Sequence, residues 1–296
     1  MRRLVEKSVA EKLSEKASGA FAIPQTMHQV ILGDARDMSR VQDRSVHLVV
    51  TSPPYWTLKK YNENLNQLGA ISEYEAFLTE LDRVWTECFR VLCPGGRLCI
   101  VVGDVCLSRR KNGRHLVIPL HADIQVQCRG AGFDNLTPIF WYKIANMATE
   151  VEGSSYFLGK PYEPNAVIKS DIEYILLLRK GGDYRHPTAE QRAASVIEKE
   201  LYHKWFRQIW TDVAGASLKN HPAPFPVEIA SRLIRMFSFV GDTVLDPFLG
   251  TGTTTVAAIE SGRNSVGFEI DPSYIDLVTA RLSQQHLLTT YEISYS

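Results

Sequence analysis

The sequence predicts an α/β fold with a mostly parallel, twisted sheet and helices on both of its faces. Short apolar runs rich in β-branched residues, such as residues 46–51 and 98–103, are typical of strands buried on both faces. Between these two runs, residues 73–92 carry apolar side chains at helical spacing, which indicates a strand–helix–strand crossover unit. The same alternation of strand and helix returns near the end of the chain.

The predicted elements of the first half follow from local patterns. Apolar runs that end at Gly or Ser-Pro indicate strands, and stretches with apolar positions three and four residues apart indicate helices that stop at Pro or Gly. In chain order they are a charged N-terminal helix or arm (1–20), strands at 30–32 and 46–51, a helix at 73–92, a strand at 98–103, a basic loop at 107–115, a helix at 118–131 and a strand at 136–143.

The second half is less regular at first. Residues 144–171 and 180–220 mix Gly, Pro, aromatic and charged residues without a clean period, on either side of a strand at 172–179. Regular elements then resume: a helix at 229–237, a strand at 243–246, a helix at 253–261, a strand at 265–269 and a closing helix at 272–288. We therefore expect one domain over residues 21–290, with a regular core at 29–142 and 221–285 that an irregular insertion at 144–220 interrupts.

Composition and charge bound the class of protein. A chain of 296 residues with 45% apolar and 22% charged residues is an ordinary globular protein, not a disordered, collagen-like or disulfide-stapled one. The 33 basic and 33 acidic residues balance, which argues against a histone-like coating protein but not against a nucleic-acid enzyme with a local basic face.

Location and redox state follow from two further patterns. No apolar run reaches the ~18–20 residues of a membrane span, and the charged N-terminus lacks the apolar core of a secretory signal. The five cysteines are odd in number and form no C-x-x-C pair, which predicts reduced thiols and no metal site. We expect a cytoplasmic protein that contacts no membrane.

The first candidate loop is residues 246–254, Asp-Pro-Phe-Leu-Gly-Thr-Gly-Thr-Thr, between a predicted strand and a predicted helix. Its two glycines allow a sharp turn and a close approach of the backbone to a ligand. Glu269 ends the next strand, where a carboxylate can accept hydrogen bonds from the ribose hydroxyls of a nucleoside cofactor. A dinucleotide or phosphate-loop interpretation is weak, since no third glycine or Gly-Lys-Ser/Thr follows.

The second candidate loop is Thr51-Ser52-Pro53-Pro54-Tyr55-Trp56, at the end of a buried strand. Consecutive prolines fix φ and remove two N–H donors, so the backbone carbonyls there are rigid acceptors. A hydroxyl and two aromatic rings lie beside them. These groups can grip an amino group on a flat ring, because two acceptors take its N–H bonds and an aromatic face stacks the ring.

Together the two loops resemble the motifs of the beta-group amino-methylating DNA methyltransferases, which use S-adenosylmethionine to methylate an exocyclic nitrogen. Residues 51–55 are similar to the catalytic motif in its serine form, and residues 245–254 are similar to the cofactor loop. Further similar segments occur in the family's order: Gly33-Asp34, residues 90–96, Trp141-Tyr142-Lys143 and residues 221–234. The resemblance implies a Rossmann-like methyltransferase fold in which the catalytic motif precedes the cofactor loop, a circular permutation.

The resemblance also implies roles for individual residues. The implied catalytic residues are Ser52, Pro53, Pro54 and Tyr55. The implied contacts of S-adenosyl-L-methionine are Asp34, Thr51, Asp246, Phe248, Gly250, Gly252, Thr253, Thr254 and Glu269. Asp246 either contacts the cofactor's ammonium or caps its own loop, and both roles stay open.

The resemblance indicates a flipped cytosine in double-stranded DNA as the target, methylated at N4. Adenine-modifying members most often carry Asp where this chain has Ser52; adenine N6 is therefore the alternative target. Two more distant alternatives are an RNA amino-methyltransferase and a non-catalytic cofactor-binding partner. No cysteine follows a proline, which argues against methylation at ring carbon 5.

The predicted DNA contacts are basic or aromatic residues. They are Trp56, Arg109, Arg110, Lys111, Arg114, Arg179, Lys180 and Arg185. Residues 144–220 are the candidate target-recognition region. We expect any restriction endonuclease that acts with this protein to be a separate chain, and the protein to be a monomer or a homodimer.

Overall fold

The computed structural model describes residues 25–57, 66–143, 157–158, 160, 162–183, 185–215, 225–283 and 291–295. The predicted N-terminal helix or arm at 1–20 lies outside these ranges. Among the described residues, none of the helices combines the length and the apolar character needed to cross a bilayer.

A large mixed sheet forms the centre of the described structure. Its strands are β1 (Thr26–Leu32), β2 (Val46–Thr51), β3 (Leu92–Val102), β6 (Phe133–Asn135), β7 (Ile139–Tyr142), β10 (Ile172–Lys180), β11 (Ile209–Trp210), β12 (Thr243–Asp246), β13 (Asn264–Glu269) and β14 (Tyr291–Tyr295). Two separate hairpins pair β4 (Val105–Leu107) with β5 (Leu116–Ile118) and β8 (Phe157–Leu158) with β9 (Val167–Ile168).

The strand order of the sheet is β11-β7-β10-β3-β2-β12-β13-β1-β14, with β6 paired to β10. Neighbouring strands run parallel except where β10 pairs with β3, β6 and β7. The prediction of a mostly parallel sheet is confirmed. Strands β2 and β12 are neighbours although their residues Val49 and Leu245 are far apart in the chain.

Helices cover both faces of this sheet. The helices of the described residues are α1 (Tyr74–Val91), α2 (Arg109–Asn112), α3 (Leu120–Gly130), α4 (Ala189–Ala194), α5 (Lys199–Trp205), α6 (Val227–Phe237), α7 (Thr253–Glu260) and α8 (Pro272–Ser283), of which α2 lies outside the sheet. Alternate residues of β3 point to opposite faces: Leu98 and Ile100 join the core beneath α1 and α3, whereas Cys99 and Val101 join the core beneath α6. This alternation explains why residues 98–102 of β3 are all apolar.

Several predicted boundaries differ from the structure. Residues 107–115 are not a plain basic loop, because they form a hairpin whose tip is the single helical turn α2. Ile118 belongs to β5, so α3 begins at Leu120 rather than at 118. Two short helices, α4 and α5, lie in the stretch whose sequence shows no clean period, and a capping box between Thr188 and Gln191 begins α4. Helices this short show no periodicity in a sequence.

The proposed insertion at 144–220 is also more regular than its sequence indicates. It contributes β10, which lies between β7 and β3 in the sheet, and the edge strand β11. Residues 144–156 lie outside the described ranges. The region is therefore built into the sheet through β10, and it does not stand as a separate unit beside it.

A buried carboxylate joins the ends of the neighbouring strands β2 and β12. Asp246 is 1% exposed and accepts hydrogen bonds from the Thr51 hydroxyl at 2.7 Å, the Thr254 hydroxyl at 2.6 Å and the Phe248 N–H at 3.0 Å. Burial raises the pKa of Asp246 to about 6, although these three hydrogen bonds oppose the shift. The network ties the loop after β2 to the loop after β12.

We expect Thr51→Val to lower the free energy of unfolding by about 1–3 kcal/mol, because it leaves a buried carboxylate oxygen with one hydrogen-bond donor fewer. Denaturant titration measures the change. The matched control is Thr79→Val, which removes an exposed hydroxyl that bonds within α1 and should cost about 0.5 kcal/mol or less. Equal costs at both positions would contradict a central role for the Asp246 network.

Candidate active site

A cavity of about 730 Å³, measured to its open mouth, lies at the carboxyl ends of the parallel strands. This is the edge at which open α/β sheets bind ligands. Its walls come from the segments after β1, β2 and β12, from the end of β13, and from residues 66–69 and 274. The cavity brings together predicted residues from both loops: Asp34, Ser52, Pro53, Pro54, Phe248, Gly250 and Glu269.

The diproline loop forms one wall of the cavity. Strand β2 ends at Thr51, and Ser52, Pro53 and Pro54 follow with their atoms on the cavity surface. Tyr55 is half-buried, and its hydroxyl lies 3.4 Å from the Ser52 Oγ. The Ser52 hydroxyl and the rigid diproline backbone therefore face the cavity, whereas Tyr55 contacts Ser52 from outside the cavity lining.

Trp56 differs from the exposed aromatic side chain that the sequence suggests. Its backbone has φ 49°, a left-handed conformation that is rare for a bulky residue. The indole packs edge-on against the Tyr74 ring at 5.2 Å between centroids. Its Nε1 is buried without a hydrogen-bond partner among the described residues. Trp56 therefore packs against α1 in this structure, and its contact with DNA stays a prediction.

The glycine loop and the end of β13 form the opposite wall. Gly250 has φ 53°, and its N–H donates to Glu269 Oε2 at 2.8 Å. The other oxygen, Oε1, accepts from the Asp271 N–H at 2.9 Å. Burial raises the pKa of Glu269 to about 7, and the backbone hydrogen bonds oppose this shift. Glu269 thus offers a cavity-facing carboxylate that changes charge near neutral pH.

The remaining predicted cofactor residues support the loop and do not line the cavity. Thr51 and Thr254 donate to Asp246, and all three are buried. Of the two roles left open for Asp246, this geometry favours capping of its own loop.

Gly252 and Thr253 support the loop from its other end. Gly252 has φ 79° and precedes α7, where an added Cβ would meet Val278 at 3.2 Å. The Thr253 hydroxyl accepts from Arg281 at 3.2 Å. Both residues therefore hold the loop against α8.

Asp34 lies at the cavity wall and is fixed by its neighbour Arg36. The Arg36 side chain donates to both carboxylate oxygens, to Glu80 on α1 and to the backbone oxygen of Asn66 at 3.0 Å. Burial tends to raise the pKa of Asp34, but the hydrogen bonds and charge of Arg36 hold it below its ordinary value. Asp34 is therefore a charged acceptor at this wall.

Some cavity residues have no recognisable sequence signal. Gln67, Leu68 and Gly69 reach the cavity from a short 3-10 turn after residues 58–65, which lie outside the described ranges. Tyr274 reaches it from the first turn of α8. Other missed lining residues are adjacent in the sequence to predicted site residues, which could have indicated them: Gly33, Ala35, Pro247, Phe268 and Ile270.

The basic hairpin extends from the catalytic edge of the sheet. Residues 105–118 follow β3, which ends beside the diproline loop. Arg109, Arg110 and Arg114 are all exposed on it. Nothing is described of the side chain of Lys111. The hairpin arginines are thus placed on the same side of the molecule as the cavity.

The residues predicted to contact DNA at Arg179, Lys180 and Arg185 lie away from the cavity and pair within the protein. Because β10 runs antiparallel to β3, Arg179 lies opposite Arg97 at the far edge of the sheet from the cavity. Arg179 pairs with Asp134, and Arg185 pairs with the buried Asp242.

Lys180 is 8% exposed and donates to the backbone oxygens of Phe89 and Leu92 at 2.5 and 2.8 Å. Like Arg179 and Arg185, it stabilises the end of the sheet that is remote from the candidate site.

Comparison with known proteins supplies the family. The model of a DNA methylase family that groups N6 and N4 methyltransferases matches residues 46–280. The Type II methyltransferase M.MjaI of Methanocaldococcus jannaschii is 40% identical, over 87% of this chain and 91% of its own length. The Type II methyltransferase M.MthZI of Methanothermobacter thermautotrophicus is 35% identical, over 88% of this chain and 78% of its own.

Two solved structures are also similar to this chain. A Thermus thermophilus protein assigned as a DNA modification methylase, in complex with S-adenosyl-L-methionine, is 53% identical, with a TM-score of 0.76 over 91% of this chain and 98% of its own. The PvuII cytosine-N4-specific DNA methyltransferase shares the fold, with a TM-score of 0.63 at 18% identity over 89% of each chain. From the family match and the two archaeal relatives it follows that this chain belongs to the N6/N4 DNA methylase family.

Proposed function

We propose that this DNA methylase transfers a methyl group from S-adenosyl-L-methionine to the N4 amino group of a cytosine flipped out of duplex DNA. The observation that carries the proposal is the shared cavity, in which Ser52, Pro53 and Pro54 face the same space as Gly250 and Glu269. The acceptors for the target amino group and the residues for the nucleoside cofactor therefore lie around one cavity.

The cavity residues fit the cofactor. Gly250 leaves the backbone open, and Glu269 offers a carboxylate for the ribose hydroxyls. Asp34 offers a second acceptor, for the adenine amino group. The bound cofactor in the Thermus protein, which is 53% identical, supports the assignment.

The cofactor supplies an electrophilic methyl group on a cationic sulfur. This chain's residues prepare the nucleophile. The Ser52 Oγ and the Pro53 carbonyl accept the two N–H bonds of the target amino group, which draws the nitrogen toward tetrahedral geometry and frees its lone pair. Pro53 and Pro54 have fixed φ angles, so these acceptors need little reorganisation as positive charge develops.

The Tyr55 ring stacks the flipped base, and extrusion of the base costs a few kcal/mol. The exposed arginines of the hairpin, Arg109, Arg110 and Arg114, hold phosphates on the same side of the molecule. We place target recognition within residues 144–220, outside the sheet strands β10 and β11. A separate endonuclease would then act on the same site when it is unmethylated.

Cytosine is favoured over adenine by the serine at position 52. A short neutral hydroxyl occupies the position where adenine-modifying members most often carry a carboxylate. Adenine N6 remains the second candidate, because the same two acceptors would serve its amino group equally well.

The decisive experiment incubates the protein with genomic DNA and labelled S-adenosyl-L-methionine, then digests the DNA to nucleosides. We expect label in N4-methylcytosine. Label in N6-methyladenine would select the second candidate, and label only in RNA, or none at all, would refute the proposal.

We expect Ser52→Ala to lower the single-turnover rate by about 10²-fold, because one fixed acceptor at the developing charge is lost. The dissociation constant of the cofactor should change less than about twofold, as expected for an interaction made mainly in the transition state. The control is Ser283→Ala, an exposed hydroxyl that bonds within α8. Parallel losses of rate and cofactor affinity would count against the assigned role.

Cofactor affinity should depend on pH through Glu269. Its pKa of about 7 means that lower pH protonates the carboxylate that must accept the ribose hydroxyls. We expect binding to weaken by about tenfold between pH 8 and pH 6, measured by calorimetry. Glu269→Gln should bind weakly and show little pH dependence; an unchanged pH profile in this variant would exclude Glu269 as the titrating group.

A further inference from the structure

The Tyr55 hydroxyl lies among three oxygen atoms, one from each neighbouring element. The Ser52 Oγ, the Val101 backbone oxygen and the Glu173 Oε2 each lie 3.4 Å from it. Distances of this length are at the outer limit of hydrogen bonding, so the ring can move slightly without losing all its partners. Glu173 is the charged member of this set, and neither the motifs nor the proposed mechanism assigns it a role.

Strand β10 delivers Glu173 to the catalytic edge because it runs antiparallel. Its next residue, Tyr174, pairs with Val102, so Glu173 lies beside the end of β3. Gly103 follows there, and an added Cβ would lie 3.3 Å from Tyr55 Cε2 and 3.5 Å from Glu173 Cγ. The missing side chain at Gly103 thus lets the tyrosine ring and the glutamate approach each other.

Lys143 holds Glu173 in place from the other side. Its ammonium donates to Glu173 Oε1 at 2.5 Å, while Oε2 is left toward Tyr55. The Lys143 and Glu173 side chains are 20% and 12% exposed, so water screens this pair less than it screens a surface ion pair. The backbone N–H of Lys143 also donates to the backbone oxygen of Asp171, and this hydrogen bond fixes the end of β7 against the start of β10.

We propose that the Lys143–Glu173 pair is a positioning unit for Tyr55: it orients the ring that stacks the target base against the acceptors of the diproline loop. The proposal rests on the proposed function and adds two residues to it. Glu173 acts through the tyrosine hydroxyl and Lys143 acts through Glu173, so neither is assigned contact with the reacting atoms.

A simpler role would be an ion pair that only fastens β7 to β10. The two roles predict different couplings. If the ion pair only connects the two strands, a change at Glu173 lowers the methylation rate equally whether or not Tyr55 has a hydroxyl. If Glu173 positions Tyr55, that change has no further effect on the rate once the hydroxyl is gone. Misplacement of a bound group by about 1 Å can cost about 10²-fold in rate, so even a small rotation of Tyr55 is measurable.

The test is a double-mutant cycle of Glu173→Gln and Tyr55→Phe, with the single-turnover rate on genomic DNA as the readout. We expect each single variant to lose about tenfold in rate, with cofactor affinity and melting temperature nearly unchanged. The double variant should be no slower than about twofold below Tyr55→Phe. Additive losses, or no loss in Glu173→Gln, would overturn the proposal.

Two further variants separate positioning from folding. Lys143→Met should match the rate loss of Glu173→Gln, and Lys143→Arg, which keeps the cation, should recover most of it. Asp134→Asn is the matched control, because it breaks the ion pair of β10 with Arg179 at the far edge of the sheet; its rate should not change. Rate losses that follow the melting temperature across the set would assign a purely structural role.

Failure of this inference differs from failure of the function. If the unmodified protein methylates no DNA, the proposed function and this inference both fall. If it methylates DNA and the cycle is additive, only the inference falls.

Discussion

The arrangement of the site depends on the hydrogen bonds that the buried carboxylate of Asp246 accepts. It lies at the end of β12 and binds the last residue of β2, Thr51, and the second residue of α7, Thr254. Ser52 begins the diproline loop directly after Thr51, so the same carboxylate fixes the starting points of both loops. A less polar residue here would remove the acceptor that the two buried hydroxyls share, and would leave Thr254 with only the Val50 backbone oxygen at 3.4 Å.

In the described part of the large sheet, β10 runs antiparallel to its neighbours, and its direction determines which of its charged residues lie near the cavity. Its first residues lie at the cavity edge and its last residues at the opposite edge, where Lys180 satisfies carbonyl groups at the end of α1. A lysine and an arginine next to two glycines resemble a solvent-exposed phosphate-binding loop in the sequence. Their positions depend on strand direction, which a local pattern does not encode.

The sequence therefore predicts some parts of the fold much better than others. Continuous β-branched runs and a strong helical stripe identify β2 and α1 almost to the residue, because burial on both faces or on one face imposes those patterns. The strand predicted at 98–103 covers only the second part of β3, which begins at Leu92, because Pro94, Gly95 and Gly96 indicate a turn rather than a strand. The diproline and glycine motifs identify the site residues that the cavity brings together. The supporting contacts escape prediction, since Arg36, Glu173 and Tyr274 act through distances between elements that only the folded chain defines.

The neighbouring placement of β2 and β12 has a consequence for how such a gene can be arranged. Thr51 and Asp246 stand 195 positions apart, yet their contact depends only on two strands lying side by side. Whichever of the two strands is translated first, the same hydrogen bond between Thr51 and Asp246 forms once both strands are in the sheet. A chain whose two halves were joined in the opposite order could still place these strands side by side, so the order of the halves along the chain places little constraint on this contact.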